Sequence, residues 1–245
     1  MINTIIEGDC TEKLKLLSDN SVDIVFTSPP YNVGGTTRTG KNTKKLYEEY
    51  GDNLTDDDYY KLLSRCLEES LRVCKGGVFF NINYMSNNKL TLFKWVSDYA
   101  KYLKETIIWN KETHQPPIGN ILAKRYEFIF LFTKNKDFEV NNHKVNKAEK
   151  YRKQFGAWIS NLVTVKPGEQ EYNSVHRAAF PKSLPYIFID IYSKINDIVL
   201  DPFCGTGTTC VAAKELKRNY IGIELAKKYI DISNERLRQE SLDLF

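Results

Sequence analysis

The chain has 245 residues, 42% of them hydrophobic, which suits one sizeable α/β domain and is short for two independent ones. Its 35 basic and 31 acidic residues leave a net charge of +4, too small to identify a nucleic-acid binder by itself, and no apolar stretch approaches the ~20 residues of a membrane helix. Five cysteines without a Cys-x-x-Cys pair, and an N-terminus without a basic leader, predict a reducing, cytoplasmic interior without structural zinc or another metal.

Asn3 to Glu7 reads as a short strand, and Gly8-Asp9-Cys10 turns out of it into a helical stretch, Glu12 to Leu17. Asp9, at the strand's end, can accept from an adenine amino group or cap the helix that follows. Val22 to Phe26 is the next strand, apolar enough to be buried, and it runs into Thr27-Ser28-Pro29-Pro30-Tyr31. Two consecutive prolines cannot donate backbone hydrogen bonds and bias the residue before them to an extended conformation, so this turn is stiff and holds Ser28 and Tyr31 at a strand's carboxyl end. From Val33 the sequence is polar and glycine-bearing to Asp58, and Arg38, Lys41, Lys44 and Lys45 fall within it in a run without an acid.

Thr55 followed by Asp56-Asp57-Asp58 looks like a capped helix start, with apolar residues from Leu62 to Val73 at helical spacing and Lys75-Gly76-Gly77 as the stop. Val78 to Ile82, Glu105 to Trp109 and Tyr126 to Phe132 are further strands, with a helix over Lys89 to Lys101. Between Lys134 and Tyr172 the periodicity fades; this stretch reads as a surface insertion and carries a second basic run that includes Lys147 and Arg152. Leu184 to Ser193 is helical and leads into the strand Asp197 to Leu200.

That strand enters Asp201-Pro202-Phe203-Cys204-Gly205-Thr206-Gly207-Thr208-Thr209 and then a helix, Val211 to Lys217. Glycines here let a ligand approach the backbone, and the helix N-terminus offers free N–H groups. Asn219 to Glu224 is a strand ending in a carboxylate ~20 residues after the turn, where a nucleoside-binding fold places an acid on the ribose hydroxyls. Lys227 to Leu244 reads as an amphipathic helix without a catalytic signal. Strand and helix alternate, which predicts a doubly wound, largely parallel seven-stranded sheet in a single domain.

Together, Thr27 to Tyr31 and Asp201 to Gly207 resemble the two signature motifs of the S-adenosylmethionine-dependent DNA amino-methyltransferases, with the catalytic motif first, as in the permuted β class. The resemblance implies a Rossmann-like methyltransferase fold, with 134–172 as a small target-recognition insertion and 33–58 as a mobile DNA-contacting loop. It implies Ser28, Pro29, Pro30 and Tyr31 as catalytic residues and S-adenosylmethionine as cofactor, with S-adenosylhomocysteine as product. Asp9, Phe180, Asp201, Phe203, Gly205, Gly207 and Glu224 become cofactor contacts. The segment His176 to Leu184 resembles the family's lead into the cofactor side, although Arg177 replaces the usual proline after the histidine. Double-stranded DNA is the implied partner, met by Arg38, Lys41, Lys44, Lys45, Lys147 and Arg152; a cognate restriction endonuclease and a homodimer are further expectations.

Ser at the first motif position points to cytosine N4, whereas the continuation Tyr31-Asn32 resembles adenine-directed members, and the reading leans slightly to adenine N6. Two other classes compete. A dehydrogenase would share the glycine turn and acid, but Gly205 to Thr209 lacks a third glycine at the expected spacing and Ser28 to Tyr31 would go unexplained. A non-catalytic DNA-binding protein would have no use for an intact cofactor loop.

Overall fold

The structure is a computed structural model, and it describes residues 2–33, 36–37, 44–45, 52–112, 122, 124–139, 160–167 and 180–239. Its strands are β1 (Thr4–Glu7), β2 (Ile24–Thr27), β3 (Thr36–Thr37), β4 (Lys44–Lys45), β5 (Val78–Ile82), β6 (Leu103–Asn110), β7 (Tyr126–Phe132), β8 (Leu162–Thr164), β9 (Ile198–Asp201) and β10 (Asn219–Glu224). Its α-helices are α1 (Cys10–Lys13), α2 (Asp56–Val73), α3 (Lys89–Asp98), α4 (Ser183–Tyr192), α5 (Thr208–Glu215) and α6 (Lys227–Gln239).

Eight strands form one sheet in the order β1-β10-β9-β2-β5-β7-β6-β8, and β3 pairs with β4 in a separate antiparallel ribbon. Among the described strands of the large sheet only β7 runs against its neighbours. The central strands β2 and β5 are buried along their whole length, which is why Ile24-Val25-Phe26 and Val78-Phe79-Phe80 are runs of apolar residues rather than alternations. Alternate residues enter two cores. Phe26 and Phe79 pack with Phe188 and Val211 on the α4–α5 side, while Val25 and Phe80 pack with Tyr59, Leu63 and Trp95 on the α2–α3 side.

Among the described residues the sheet has eight strands where the sequence pattern predicts seven. The addition, β8, lies within the stretch expected as insertion and extends the sheet edge by pairing with β6. Three residues are too short for a periodicity signal; what fixes them is tertiary, because Val163 is buried and the Trp109 Nε1–H donates to the Val165 carbonyl at 2.9 Å. The predicted loop 33–58 also narrows at its end. Asp52 is fully buried, and α2 begins at Asp56 behind the Thr55 cap, whose hydroxyl accepts from the Asp58 N–H at 3.2 Å.

Direction and order together place the chemistry. The next strand of this sheet after β2 in the chain, β5, lies on one side of β2, whereas β10 lies beyond β9 on the other. The adjacent pair β2–β9 is therefore a topological switch point, and ligands of such sheets bind outside the carboxyl ends there.

Candidate active site

The turn Ser28 to Tyr31 leaves β2 at that switch point. Its carbonyls are distributed unevenly: Pro30 O accepts from the buried Tyr59 hydroxyl at 2.8 Å and Tyr31 O from Asn88 Nδ2 at 2.6 Å. The Pro29 carbonyl takes part in no hydrogen bond among the described residues. Asn32, in the left-handed region with φ +55, closes the turn, its amide bonded to both the N–H and the carbonyl of Leu54. Asp52 accepts the Asn32 and Val33 N–H groups at 2.7 and 3.1 Å, and burial raises its pKa against those two bonds. The stiffness expected from the prolines is thus reinforced by a clamp on the far side of the loop.

The Tyr31 hydroxyl is 2.7 Å from Glu127 Oε2 and 3.5 Å from Ser28 Oγ. Glu127 stands near the start of the antiparallel β7, so it reaches the same sheet edge as the carboxyl ends of β2 and β5. Its Oε2 also accepts from Asn81 Nδ2 at 3.1 Å, and its Oε1 is paired with Lys111, which follows β6 and lies over the Trp109 ring. Glu127, Asn81 and Lys111 are missed by sequence reasoning; the available signal was a single acid within the aromatic run Tyr126 to Phe132.

On the β9 side, Asp201 is 1% exposed. One carboxylate oxygen accepts from the Thr27 hydroxyl at 2.7 Å and the Phe203 N–H at 3.1 Å, the other from the Thr209 hydroxyl at 2.7 Å. Burial nonetheless pushes its pKa up to about 6, with these three bonds opposing the rise and the Glu224 charge adding to it. Asp201 therefore faces inward as a brace that ties the end of β2 to the start of the α5 helix. The loop then turns through Gly205 (φ +52) and Gly207 (φ +82). A Cβ on Gly207 would meet the Ser233 Cβ at 3.0 Å, so both conformation and space call for glycine.

Glu224, at the end of β10, accepts from the Gly205 and Ala226 N–H groups, both at 2.8 Å, and stays half-buried. Helix α6 grips the same loop, Ser233 Oγ donating to Gly205 O at 2.8 Å and Arg236 to Thr206 O at 2.5 Å. These two contacts lie on the helix the sequence marked only as amphipathic. Asp9 caps α1, its Oδ1 accepting from the Thr11 N–H and hydroxyl at 2.9 and 2.5 Å. Phe180 stands edge-on to Phe26 with centroids 5.6 Å apart, and Phe203 is half-buried against the opposite core. Cys204 and Cys210 have sulfurs 3.6 Å apart as free thiols; their mutual hydrogen bond and burial raise the Cys204 pKa.

Of the residues expected to meet DNA, Lys44 and Lys45 form β4, opposite Thr37 and Thr36. Arg38, Lys41, Lys147 and Arg152 lie outside the described residues, as do His176 and most of the 134–172 insertion.

Residues 22–235 match the model of the N6/N4 methyltransferase family, described as DNA methylase. The chain belongs to this DNA methylase family. The match contains the whole Ser28 to Tyr31 turn, the glycine loop, and Ser233 of α6. The methylase is 34% identical to the type II methyltransferase M.HinfI of Haemophilus influenzae over 97% of its own length and 69% of that protein's. Its fold matches that of the PvuII cytosine-N4-specific DNA methyltransferase with a TM-score of 0.75 at 21% identity, covering 96% of this chain and 86% of that one. TTHA0409 of Thermus thermophilus, solved in complex with S-adenosyl-L-methionine, matches with a TM-score of 0.66 at 23% identity, over 97% and 94% of the two chains. Among the described residues no helix is long and apolar enough to cross a membrane.

Proposed function

We propose that the methylase transfers a methyl group from S-adenosylmethionine to the exocyclic amino group of a base flipped out of double-stranded DNA. The observation that carries this reading is the hydrogen bond between Thr27 and Asp201, which joins the two signature motifs on adjacent strands at the switch point. Each motif then opens on the same crevice, one with acceptors for an amino group and the other with a glycine turn for a nucleoside. A solved relative of the fold binds this cofactor, and a curated relative is named a type II methyltransferase.

The cofactor residues fit such a ligand. Gly205 and Gly207 let the backbone approach it, Glu224 is braced at the strand end where ribose hydroxyls would meet a carboxylate, and Phe180 and Phe203 supply apolar surface on the two sides of the sheet. Asp201 acts there through the loop it holds, and Asp9 through the turn it caps or through direct contact. When bound, the sulfonium supplies an electrophilic methyl for in-line displacement.

The chain's own task is to present the amino nitrogen, whose lone pair is conjugated with the base. Acceptors for its N–H groups favour a more tetrahedral nitrogen and draw off the positive charge that develops. Ser28 Oγ and the unengaged Pro29 carbonyl are those acceptors, and the Pro30 and Asn32 contacts fix their direction. Tyr31 stacks on the extruded base, whose release from the duplex is required because pairing engages the same nitrogen. The basic residues Arg38, Lys41, Lys44, Lys45, Lys147 and Arg152 neutralise phosphates.

We favour adenine N6 as the target, with cytosine N4 the alternative by the same mechanism. A restriction endonuclease of the same site is the proposed partner, and the cytoplasm the proposed location, which suits five free cysteines. Incubating the purified protein with S-adenosylmethionine and genomic DNA, followed by single-molecule sequencing, should show N6-methyladenine or N4-methylcytosine in one sequence context. Unmodified DNA in every context would refute the assignment.

A further inference from the structure

An acid in the aromatic run Tyr126 to Phe132 needs a reason. The Glu127 side chain is only 12% exposed, and burying an ion pair such as Glu127–Lys111 is a poor way to gain stability compared with apolar packing. What the carboxylate does touch is the catalytic turn. A phenol has one proton, and the 2.7 Å contact with an acceptor-only carboxylate takes it. The phenol oxygen is then left as an acceptor; of its two neighbours at 3.5 Å the Asn81 carbonyl can only accept, so Ser28 Oγ is the one that can donate to it. That distance is at the outer limit of a hydrogen bond, as catalytic contacts often are before substrate tightens them.

We propose that Glu127 is a positioning residue for methyl transfer: by accepting the Tyr31 O–H it makes the phenol oxygen accept the Ser28 O–H, which turns the Ser28 lone pairs to the target amino group. A free serine hydroxyl can present either its proton or its lone pairs to a base, and only the lone pairs are useful to an N–H donor. The chain Ser28 to Tyr31 to Glu127 gives the donors one direction. Lys111 and Asn81 hold the two carboxylate oxygens apart, Oε1 for the ammonium and Oε2 for the phenol and the amide. The inference rests on the amino-transfer reading above.

Glu127→Gln reverses the direction while keeping the shape. Lys111 claims the amide oxygen, the new NH2 faces the Tyr31 oxygen and displaces the Asn81 amide donor, and the phenol proton leaves the side chain at 127 for Ser28 Oγ or the Asn81 carbonyl. Single-turnover transfer should slow roughly tenfold, within the range that one coupled contact carries. Affinity for S-adenosylmethionine and for DNA should stay at the wild-type values, so the effect falls on the rate and not on KM. Tyr31→Phe, which keeps the ring and removes only the hydroxyl, should also slow transfer. In the Tyr31→Phe background, Glu127→Gln should have no further effect, because its route to Ser28 is gone. A merely structural role would lower Tm and would act equally in both backgrounds.

Equal slowing by Glu127→Gln in both backgrounds, or wild-type transfer by Tyr31→Phe, overturns the proposal; the second result does so even if the Glu127 variant fails to fold. A wild-type protein that methylates no DNA would instead overturn the reaction itself, and the positioning role with it.

Discussion

At the turn around Ser28, neighbouring groups already engage two of the backbone acceptors. The carbonyls of Pro30 and Tyr31 are occupied, which leaves Pro29 O and the lone pairs of Ser28 Oγ as the proposed acceptors for a substrate. Ser28→Ala removes one acceptor without opening a cavity, since the side chain is half-buried at the cleft edge. It should leave Tm and cofactor affinity unchanged and slow single-turnover transfer by roughly 10²–10³-fold, the effect of one preorganised group at developing charge. A wild-type rate would place the acceptor elsewhere.

Asp201 gives a prediction of a different kind. Its folded pKa of about 6 lies above the ordinary 3.8, so the native state holds the proton more tightly than the unfolded chain. The stability this gives is fully present below pH 3.8 and is lost as pH rises through about 6, a difference of about 3 kcal/mol at ~1.4 kcal/mol per unit. Asp201→Asn mimics the protonated state and retains partners for Thr27 and Thr209. The variant's Tm relative to wild type should therefore increase between pH 4 and pH 7, whereas a gap that does not vary with pH would contradict the assignment. The sequence made Ser28 and Asp201 visible because each stands in a motif. It did not show that Asp201 faces inward, because that depends on Thr27, 174 positions away in the chain. Glu127 was hidden for the same reason: its partners come from the register of β7 against β5 and β6.

Among elements, those with a strong period were readable. Helix α2 was expected from its Thr55 cap, its acidic first turn and its apolar face, and all three are present. Helix α5 starts earlier than its apolar run suggests, at Thr208, because Gly207 turns the chain directly into it. The ribbon β3–β4 and the edge strand β8 are two or three residues long, and such lengths carry no pattern; pairing alone defines them, local within the ribbon and with the sequence-distant β6 for β8. Helix α6 was readable as a helix but not as a part of the site, since Ser233 and Arg236 reach the glycine loop only after it has packed. Gly207→Ala tests that join. A left-handed φ and a Cβ 3.0 Å from that of Ser233 should reduce stability by about 1–3 kcal/mol and weaken cofactor binding, as the loop shifts off α6. Denaturant midpoints and calorimetry would measure both, and a variant matching wild type in each would mean that the loop tolerates a side chain there.

At the scale of the whole molecule, chain order matters less than strand order. The Ser28 to Tyr31 motif comes some 170 residues before the Asp201 to Gly207 loop, yet β2 and β9 are neighbours, so permutation of the sequence leaves both motifs at one switch point. DNA has to approach that carboxyl edge with a net protein charge of only +4, so binding must depend on where the cations cluster. The ribbon β3–β4 follows the Ser28 to Tyr31 turn closely in sequence, and Lys44 and Lys45 make up its second strand. If both neutralise phosphates in the complex, replacing both with Ala removes two counterion-release contacts. The slope of log affinity against log salt should then flatten by about 1.8, at ~0.9 per phosphate on duplex DNA. The loss should be similar for DNA with and without the methylation site, because phosphate contacts do not distinguish sequence. A slope equal to wild type would identify these lysines as solvated surface and move the DNA-binding face to other cations at the sheet edge.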